Sequence, residues 1–580
     1  MIVRRSLKLG ILLTSVLSTS AFAVTGTDAS SILQQQQQLK VPEVPVLLPD
    51  FKVEEKPKAN PAPKGATILV KSIEITGAED MLPAEVIESL TKEAVGKQLG
   101  FREFRELSNN ITDALKAQGY LLARAYLPRQ DITEGNIKIA ILKGTVSKNN
   151  PFSLVPGETG YERIENDVLL DFIRTNIVPG EPLKESELDR AMLIINDIPE
   201  VSIRGAMKPG DHRGDTRVQF TVDEGPAVNG LAWIDNYGSR STGINNVNVQ
   251  LKSNNPSGKG DQATLSLVGN SGTLTQTLGY NLPVDSNGTR LSLSYADMDY
   301  KVVTPAGISS GLTGKSKTST IGLSHPIKRA RMENIRVSGT YTRQDSKDDS
   351  TSGLLKHKVK RSGVLSFSGD KLDKYQGGGL NTWNLGLTVG DLDLKLAADA
   401  ASDASAYQTA GAYSKTTYGL SRLQKLTGNY SLYGSWKGQR AHKNLDGSEQ
   451  FSLGGPENVR AYPVGEASGD NGDLFNVELR YDYPEPTDLG ILQLKGFVDA
   501  GSIELHKDML GNTNSTFTGE NNYWIKGWGV GATLTKQKEY MLKAVWSKKI
   551  GDNPGRDTNG MDADGYNDAS RIWAQFMIWF

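Results

Sequence analysis

The chain has 580 residues, 65 basic and 66 acidic, and no cysteine. A net charge of −1 gives no electrostatic footprint for a nucleic-acid partner, and the missing thiols exclude a disulfide scaffold or a thiolate metal site. The length allows three or four domains.

Residues 1–23 read as a secretory signal peptide. Arg4, Arg5 and Lys8 precede an apolar run from Leu9 to Leu17, and Ala21 and Ala23 flank Phe22 at the cleavage point. Thr14, Ser15, Ser18, Thr19 and Ser20 break a run that an uncleaved anchor would need unbroken for about 18 to 20 residues. No later segment is apolar enough for a spanning helix, so an exported chain of this kind spans a membrane only as a closed β-barrel.

Residues 24–40 contain SSILQQQQQLK, with Ile32, Leu33 and Leu39 as the apolar positions and Ser30 or Ser31 as the expected cap of a short helix. On these residues alone a polar tail and a detachable helix both stand, the tail being the plainer reading. Residues 41–66 carry Pro42, Pro45, Pro49, Pro57, Pro61 and Pro63, a density that builds neither helix nor central strand. At ~3.1 Å per residue this extended linker reaches on the order of 80 Å, well past a ~30 Å hydrocarbon core.

Residues 67–145 predict a small α+β unit. Ile68 to Ile75 alternates as one strand, Pro83 opens a helix, and Phe101 to Gln118 forms a second helix with Phe104, Leu107, Ile111, Ala114 and Leu115 on one face. Strands are expected at Tyr120 to Leu127 and Ile137 to Leu142. The same order recurs over 146–226, with helices at Val168 to Phe172 and Leu188 to Ile195 and strands at Val201 to Met207 and Val218 to Val222.

From residue 227 to 580 the texture becomes short alternating stretches. Val247, Val249 and Leu251 alternate with polar neighbours, as do Tyr430, Leu432 and Trp436, and Val477, Leu479, Tyr481 and Tyr483. There is room for ~16 strands of about 10 residues, a pore-sized barrel greasy outside and wet within. The chain closes on SRIWAQFMIWF, where Ile572, Ala574, Phe576, Ile578 and Phe580 share one face. A soluble sandwich shows the same period, but rarely ends on so apolar a strand.

Little here argues for an enzyme. The five histidines are scattered, Gly307-Ile308-Ser309-Ser310-Gly311 lacks the strand-turn-helix context of a nucleophile elbow, and Asp557 to Asp568 lacks the closing Glu of a calcium loop and reads as a solvated surface loop. Neither a cofactor nor a metal is expected. One constellation stands out. Val459-Arg460-Ala461-Tyr462 lies in a Gly-rich loop, and Phe497-Val498-Asp499-Ala500-Gly501 lies two strands later. Phe497 and Asp499 share the phase opposite Leu492, Leu494 and Val498, which points them into the lumen. A lumenal carboxylate needs a partner, and an arginine on an infolded loop binds it bidentately. Two unrelated exposed charges are the plain alternative.

These residues carry a resemblance. ARAYLPRQDITEGNIKIAILKG (Ala123 to Gly144), LDRAMLIINDIPEVSIRGAMKPGDHRGDT (Leu188 to Thr216), DNYGSRSTG (Asp235 to Gly243), NVRAYP and FVDAG resemble the two-partner secretion transporters, the haemolysin and filamentous-haemagglutinin export class of the POTRA-barrel superfamily. The resemblance covers essentially the whole mature chain. It implies a mainly β fold: a 16-stranded antiparallel transmembrane barrel over 227–580, POTRA domains over 67–145 and 146–226, and a plug helix over 24–40 bearing Ile32, Leu33 and Leu39. It implies that the loop folds into the pore and that Arg460 pairs with Asp499. The family usually has Gly where Ala461 stands, which puts the tight turn there in question.

By the same resemblance the protein sits in a Gram-negative outer membrane with its POTRA domains in the periplasm. It exports a large cognate β-helical exoprotein without ATP: an adhesin, a cytolysin, a contact-dependent toxin or a haem scavenger. Other partners expected are outer-membrane lipid, lipopolysaccharide and the barrel assembly machinery, for which the Phe576, Ile578 and Phe580 ending is the C-terminal signature, and the protein is expected as a monomer. The rival readings are a BamA-type insertase, expected to carry more POTRA domains and no plug, and a passive porin, which needs no periplasmic arm.

Overall fold

The structure, a computed structural model, describes residues 28–38, 67–77, 81–212, 214–485, 487–512, 514 and 516–580. The predicted signal peptide and proline-rich linker, and Leu39 of the predicted plug, lie outside the described residues. The first described element is helix α1 (Ala29–Gln38).

The first small unit runs β1 (Thr67–Leu69), β2 (Ser72–Thr76), α2 (Ala84–Thr91), β3 (Gln98–Gly100), α3 (Phe101–Ala117), β4 (Arg124–Tyr126) and β5 (Asn136–Leu142). β2 runs parallel to β5 and β4 antiparallel to it, while β1 pairs with β3. The amphipathic stripe of α3 packs Phe104, Leu107, Ile111 and Leu115 onto Ile137 and Ile139. The single strand expected over Ile68 to Ile75 is broken in two. Val70 drops into this core, and its N–H turns to the Lys97 carbonyl while that of Lys71 turns to Gly135. The strand expected at Tyr120 is also shorter. Its first residues are used between units, Leu121 N–H donating to the Leu183 carbonyl.

The second unit runs β6 (Thr145–Val146), β7 (Phe152–Pro156), α4 (Asn166–Asn176), α5 (Glu185–Asn196), β8 (Val201–Pro209) and β9 (Asp215–Glu224). β9 pairs with β6 and β7 in parallel and with β8 antiparallel. Its core joins Leu169, Phe172, Ile173, Ile194, Ile195 and Phe220.

The barrel follows: β10 (Val228–Asp235), β11 (Asn246–Asn254), β12 (Gln262–Gly269), β13 (Thr273–Pro283), β14 (Arg290–Lys301), β15 (Thr313–Arg329), β16 (Glu333–Ser350), β17 (Gly353–Asp373), β18 (Gly379–Leu394), β19 (Gly411–Lys425) and β20 (Tyr430–Ala441). The chain then makes a short ribbon, β21 (Phe451–Ser452) and β22 (Ser468–Gly469), inside the loop that connects to β23 (Asn471–Asp482). β24 (Ile491–Glu504), β25 (Asn522–Lys536), β26 (Tyr540–Lys549) and β27 (Ser570–Trp579) complete the circuit. Among the described residues β10–β20 and β23–β27 form one closed sixteen-stranded barrel, every neighbour antiparallel. DNYGSRSTG is the turn after the first barrel strand, which itself begins upstream at Val228.

Closure sets β27 against β10, Leu231 facing Trp579 and Asp235 facing Gln575. Phe580 and Gly230 exchange backbone hydrogen bonds of 3.0 and 2.8 Å, and a side chain at Gly230 would run into the Phe580 ring. Ile572, Phe576, Ile578 and Phe580 face outward, as the period-two pattern requires. Trp436, Phe475 and Trp524 stack in a row on the outer wall near one rim, and Tyr430 meets Tyr481 near the other, the aromatic girdles that bound a lipid-facing band.

The second unit docks on one rim. Arg329, next to the β15–β16 turn, binds Asp197 through Nη2 at 2.8 Å and Nε at 3.0 Å, and Arg331 binds Asp189 at 2.6 Å. The Glu165 N–H donates to the Gly258 carbonyl at 3.0 Å. The loops after β10, β20 and β26 lie at the opposite rim.

Candidate functional site: two elements inside the barrel

The loop between β20 and β23 folds into the lumen on its β21–β22 ribbon. Its tip is a turn in which Tyr462 N–H donates to the Val459 carbonyl at 3.1 Å. Gly454 is obligatory, because a Cβ there would lie 2.0 Å from the Pro463 carbonyl oxygen. Val459, Ala461 and Tyr462 are buried against Leu453, Leu474, Ile503 and Ile525 of the ribbon and wall.

Arg460 turns the other way. Its Nε and Nη2 donate to the two oxygens of Asp499 at 2.9 and 2.6 Å, its own N–H adds a third bond at 3.1 Å, and Nη1 reaches Glu478 at 2.5 Å. The guanidinium carbon lies 3.4 Å from the Phe497 ring centroid. The Arg460 carbonyl accepts from Ser547 Oγ at 2.6 Å and Trp573 Nε1 at 2.7 Å. One residue thus ties together β23, β24, β26 and β27. Asn476 Nδ2 donates to Asp499 at 2.8 Å, and Glu478 also binds Arg480 and Lys495 at 2.7 and 3.1 Å. With Asp499 fully buried, every charge in this cluster has a partner, the condition under which buried ions are tolerated.

The wall is carved to fit. A Cβ at Gly501 would come within 2.5 Å of Leu453, and one at Gly527 within 2.6 Å of the Ala461 methyl. Ala461 is not among the residues with left-handed backbone, so the turn does not require Gly there, and its methyl takes the space that Gly527 leaves. Glu478, Asn476, Ser547 and Trp573 went unremarked as site residues in the sequence. The available signal was phase: each sits on a lumen-facing position of its strand.

The far-rim ends of the loop are tied down as well. Glu466 is buried, accepting from Ala563 N–H at 2.6 Å and Asn553 Nδ2 at 2.8 Å. Burial first, and then the neighbouring Asp562, push its pKa up to about 7. Burial likewise pushes Asp470 up to about 6, although it gathers Leu445 N–H, Gln450 and Lys507 N–H. The Asp557 to Asp568 segment is the surface loop its composition suggested, but two of its carboxylates turn inward. Asp562 is buried against Lys549 at 2.6 Å, and Asp564 binds Arg571 at 2.9 Å and Arg240 at 3.0 Å. Basic side chains on the last two strands and the first loop draw these carboxylates inward.

Helix α1 lies beside this loop, against β14 to β17. Asp28, not Ser30 or Ser31, caps it, accepting from Ser31 N–H at 2.9 Å. Ala29, Ile32 and Leu33 pack on Met298, Tyr300 and Val302. Gln34 donates to the Gln450 carbonyl and Gln36 to Thr273 Oγ1, each at 2.7 Å. Lys358 Nζ sits between Asp28 at 2.8 Å and Asp446 of the infolded loop at 2.5 Å. Ala29 N–H and the Tyr300 hydroxyl share Asp348 at 2.8 and 2.7 Å.

Comparison with known proteins places this architecture. A family model described as "Haemolysin secretion/activation protein ShlB/FhaC/HecB" matches residues 214–534, more than half of the chain, and one described as "POTRA domain, ShlB-type" matches residues 68–144. Relatives include the heme/hemopexin transporter protein HuxB of Haemophilus influenzae Rd, 23% identical over 548 residues, covering 93% of this chain and 94% of the relative. The outer membrane transporter CdiB of Dickeya dadantii is 24% identical over 432 residues, 72% of this chain and 73% of the relative. Among solved structures, CdiB from Escherichia coli shares the fold with a TM-score of 0.72 at 20% identity, covering 96% of this chain and 99% of that one. The chain belongs to the haemolysin secretion/activation family: it is an outer-membrane transporter of two-partner secretion, with its POTRA domains in the periplasm.

Proposed function

We propose that the protein captures one large, unfolded exoprotein at its POTRA domains and threads it through the barrel to the cell surface without ATP. The observation that carries this reading is the lumen itself, which holds a short helix attached by side-chain contacts beside a loop anchored in the wall. A passive pore would have no use for a removable occupant. The exposed edges of the small POTRA sheets offer backbone donors and acceptors to an extended segment, which binds as an added strand. The cargo then gains free energy by folding outside as a β-helix, where return is blocked. The Arg460–Asp499 pair holds the loop tip in the working position. Relatives named as heme/hemopexin and hemolysin transporters support a haem scavenger or a cytolysin as the cargo, beside the adhesin and contact-dependent toxin that the family resemblance implies.

The test uses the cognate exoprotein, sought first in the neighbouring open reading frame. Deleting the transporter should abolish surface cargo, a plasmid copy should restore it, and cargo already in the periplasm should still emerge after ATP is depleted. Cargo reaching the surface without the transporter, or export that stops with ATP, would overturn the proposal.

A further inference from the structure

The outer wall carries a second feature that the transport path does not use. On β14 to β18 the outward positions fall into tiers set by the strand register. In one tier Tyr295, Ser319, Arg343, Arg361 and Asp391 lie side by side. The tier toward the outer rim is charged, with Asp297, Lys317 and Asp345 in register. The tiers toward the periplasm are apolar: Leu293, Ile321 and Tyr341, then Leu323 and Leu365. From Arg343 the outward residues of β16 run Tyr341, Gly339, Val337 and Ile335. At ~3.3 Å per residue that is roughly 26 Å of strand, or about 20 Å of height at a barrel tilt of about 40°, most of a lipid-facing band about 25 Å tall. Arg343 and Arg361 therefore sit where outer-leaflet acyl chains meet their headgroups.

Two details make this a site. Arg343 and Arg361 are directly opposite each other, a like-charge pairing that destabilises a sheet unless an anion lies between. Asp391 answers Arg361 only at 3.9 Å, and the nearby Asp345 is engaged by His357 at 3.1 Å. Beneath them the wall is grooved. Leu278, Leu293, Tyr295, Ile321, Tyr341 and Arg343 line one trough. Beside it, a Cβ on Gly339 would meet nothing within 4 Å and one on Gly363 only Val389 at 3.9 Å.

We infer that this face binds a phosphorylated, multiply acylated glycolipid of the outer leaflet, of the lipid A type. The Arg343 and Arg361 guanidinium groups take a phosphate, and the trough below takes an acyl chain. Charge complementarity selects this occupant, because guanidinium pairs bind phosphate through charge-assisted forks and the apolar tiers exclude a soluble anion.

Native mass spectrometry of the full-length protein in detergent, titrated with hexa-acylated diphosphoryl lipid A, tests the inference. Arg343→Gln with Arg361→Gln should weaken binding about tenfold or more, and fully dephosphorylated lipid A should bind the native protein as weakly. Millimolar inorganic phosphate should not compete, and phosphatidylglycerol should bind less well than lipid A. Equal binding of lipid A by the native and doubly substituted proteins would overturn the site. Equal binding of phosphatidylglycerol would overturn the glycolipid. Should the double variant fail to insert, the phosphorylated and dephosphorylated lipids on the native protein decide alone.

Discussion

The two elements inside the barrel are held in different ways. The loop tip is fixed by a bidentate ion pair, a second carboxylate, an arginine–aromatic contact and an apolar cluster, all enclosed. Helix α1 presents three apolar side chains to the wall and otherwise rests on glutamine amides, its cap and one shared lysine. Its glutamine hydrogen bonds are of the kind whose net contribution is about 1 kcal/mol each, because water replaces them readily. This difference is what the proposed function needs of a loop that stays seated and a helix that leaves.

The largest effect should come from attacking the fixed element. Asp499→Ala leaves Arg460 buried with only Glu478 of its two carboxylates, a loss worth about 3 to 5 kcal/mol. Export should fall to background while the barrel still inserts and shows heat-modifiable mobility on gels. Arg460→Ala should behave alike, and normal secretion by both would remove the pair from the mechanism. Deleting residues 28–38 should instead leave the loop seated and raise single-channel conductance several-fold. An unchanged current would show that the helix does not obstruct. Lys358→Ala acts between these. It leaves Asp28 and Asp446 without their shared cation, at a cost of about 1 to 3 kcal/mol, and should produce bursts of the large conductance rather than a permanent one.

The loop's far-rim anchor adds a pH dependence. Glu466 titrates near 7 when seated, against 4.5 when free. Below 4.5 it is protonated in both states and the seated loop has its full stability. Between 4.5 and 7 the displaced loop ionises while the seated one does not, so seating weakens by up to about 3 kcal/mol and levels off above 7. Hydrogen exchange of the Val459–Gly469 amides, corrected for intrinsic rates, should be more protected at pH 5 than at pH 8. Glu466→Gln should reduce that difference, leaving the smaller share that Asp470 contributes in the same direction.

How much of this was legible depended on whether the signal lay in the residues' own period or in what the barrel brings together. Alternation placed the outward faces of β20, β23 and β27, and phase alone put Asp499 in the lumen. The helical stripe of α3 was equally plain. What period cannot carry is partnership across strands. Glu478 looked like the polar half of an alternating strand, yet it faces three cations because β23, β24 and the loop tip converge. The Asp562 and Asp564 carboxylates looked solvated because Lys549 and Arg571, which draw them in, stand on neighbouring strands. The break at Val70 was legible but passed over: the core-facing phase shifts there, from Ile68 and Val70 to Ile73 and Ile75.

Ala461 is the finest probe of the contrast, because it tests whether the fixed element depends on the turn or on the fit to the wall. If the turn demanded glycine, Ala461→Gly would relieve strain and strengthen seating. The backbone there is not left-handed, and the methyl lies in space opened by Gly527. Ala461→Gly should therefore change export and loop protection little, by about 0.5 kcal/mol of lost packing and gained chain freedom. Gly527→Ala should do more, since its new Cβ would stand 2.6 Å from the Ala461 methyl and push the tip away from Asp499. Combining the two restores the space from the opposite side, so the double variant should recover most of the export lost in Gly527→Ala. Failure to recover would mean that the wall needs Gly527 for its own backbone, independently of what the loop carries opposite it.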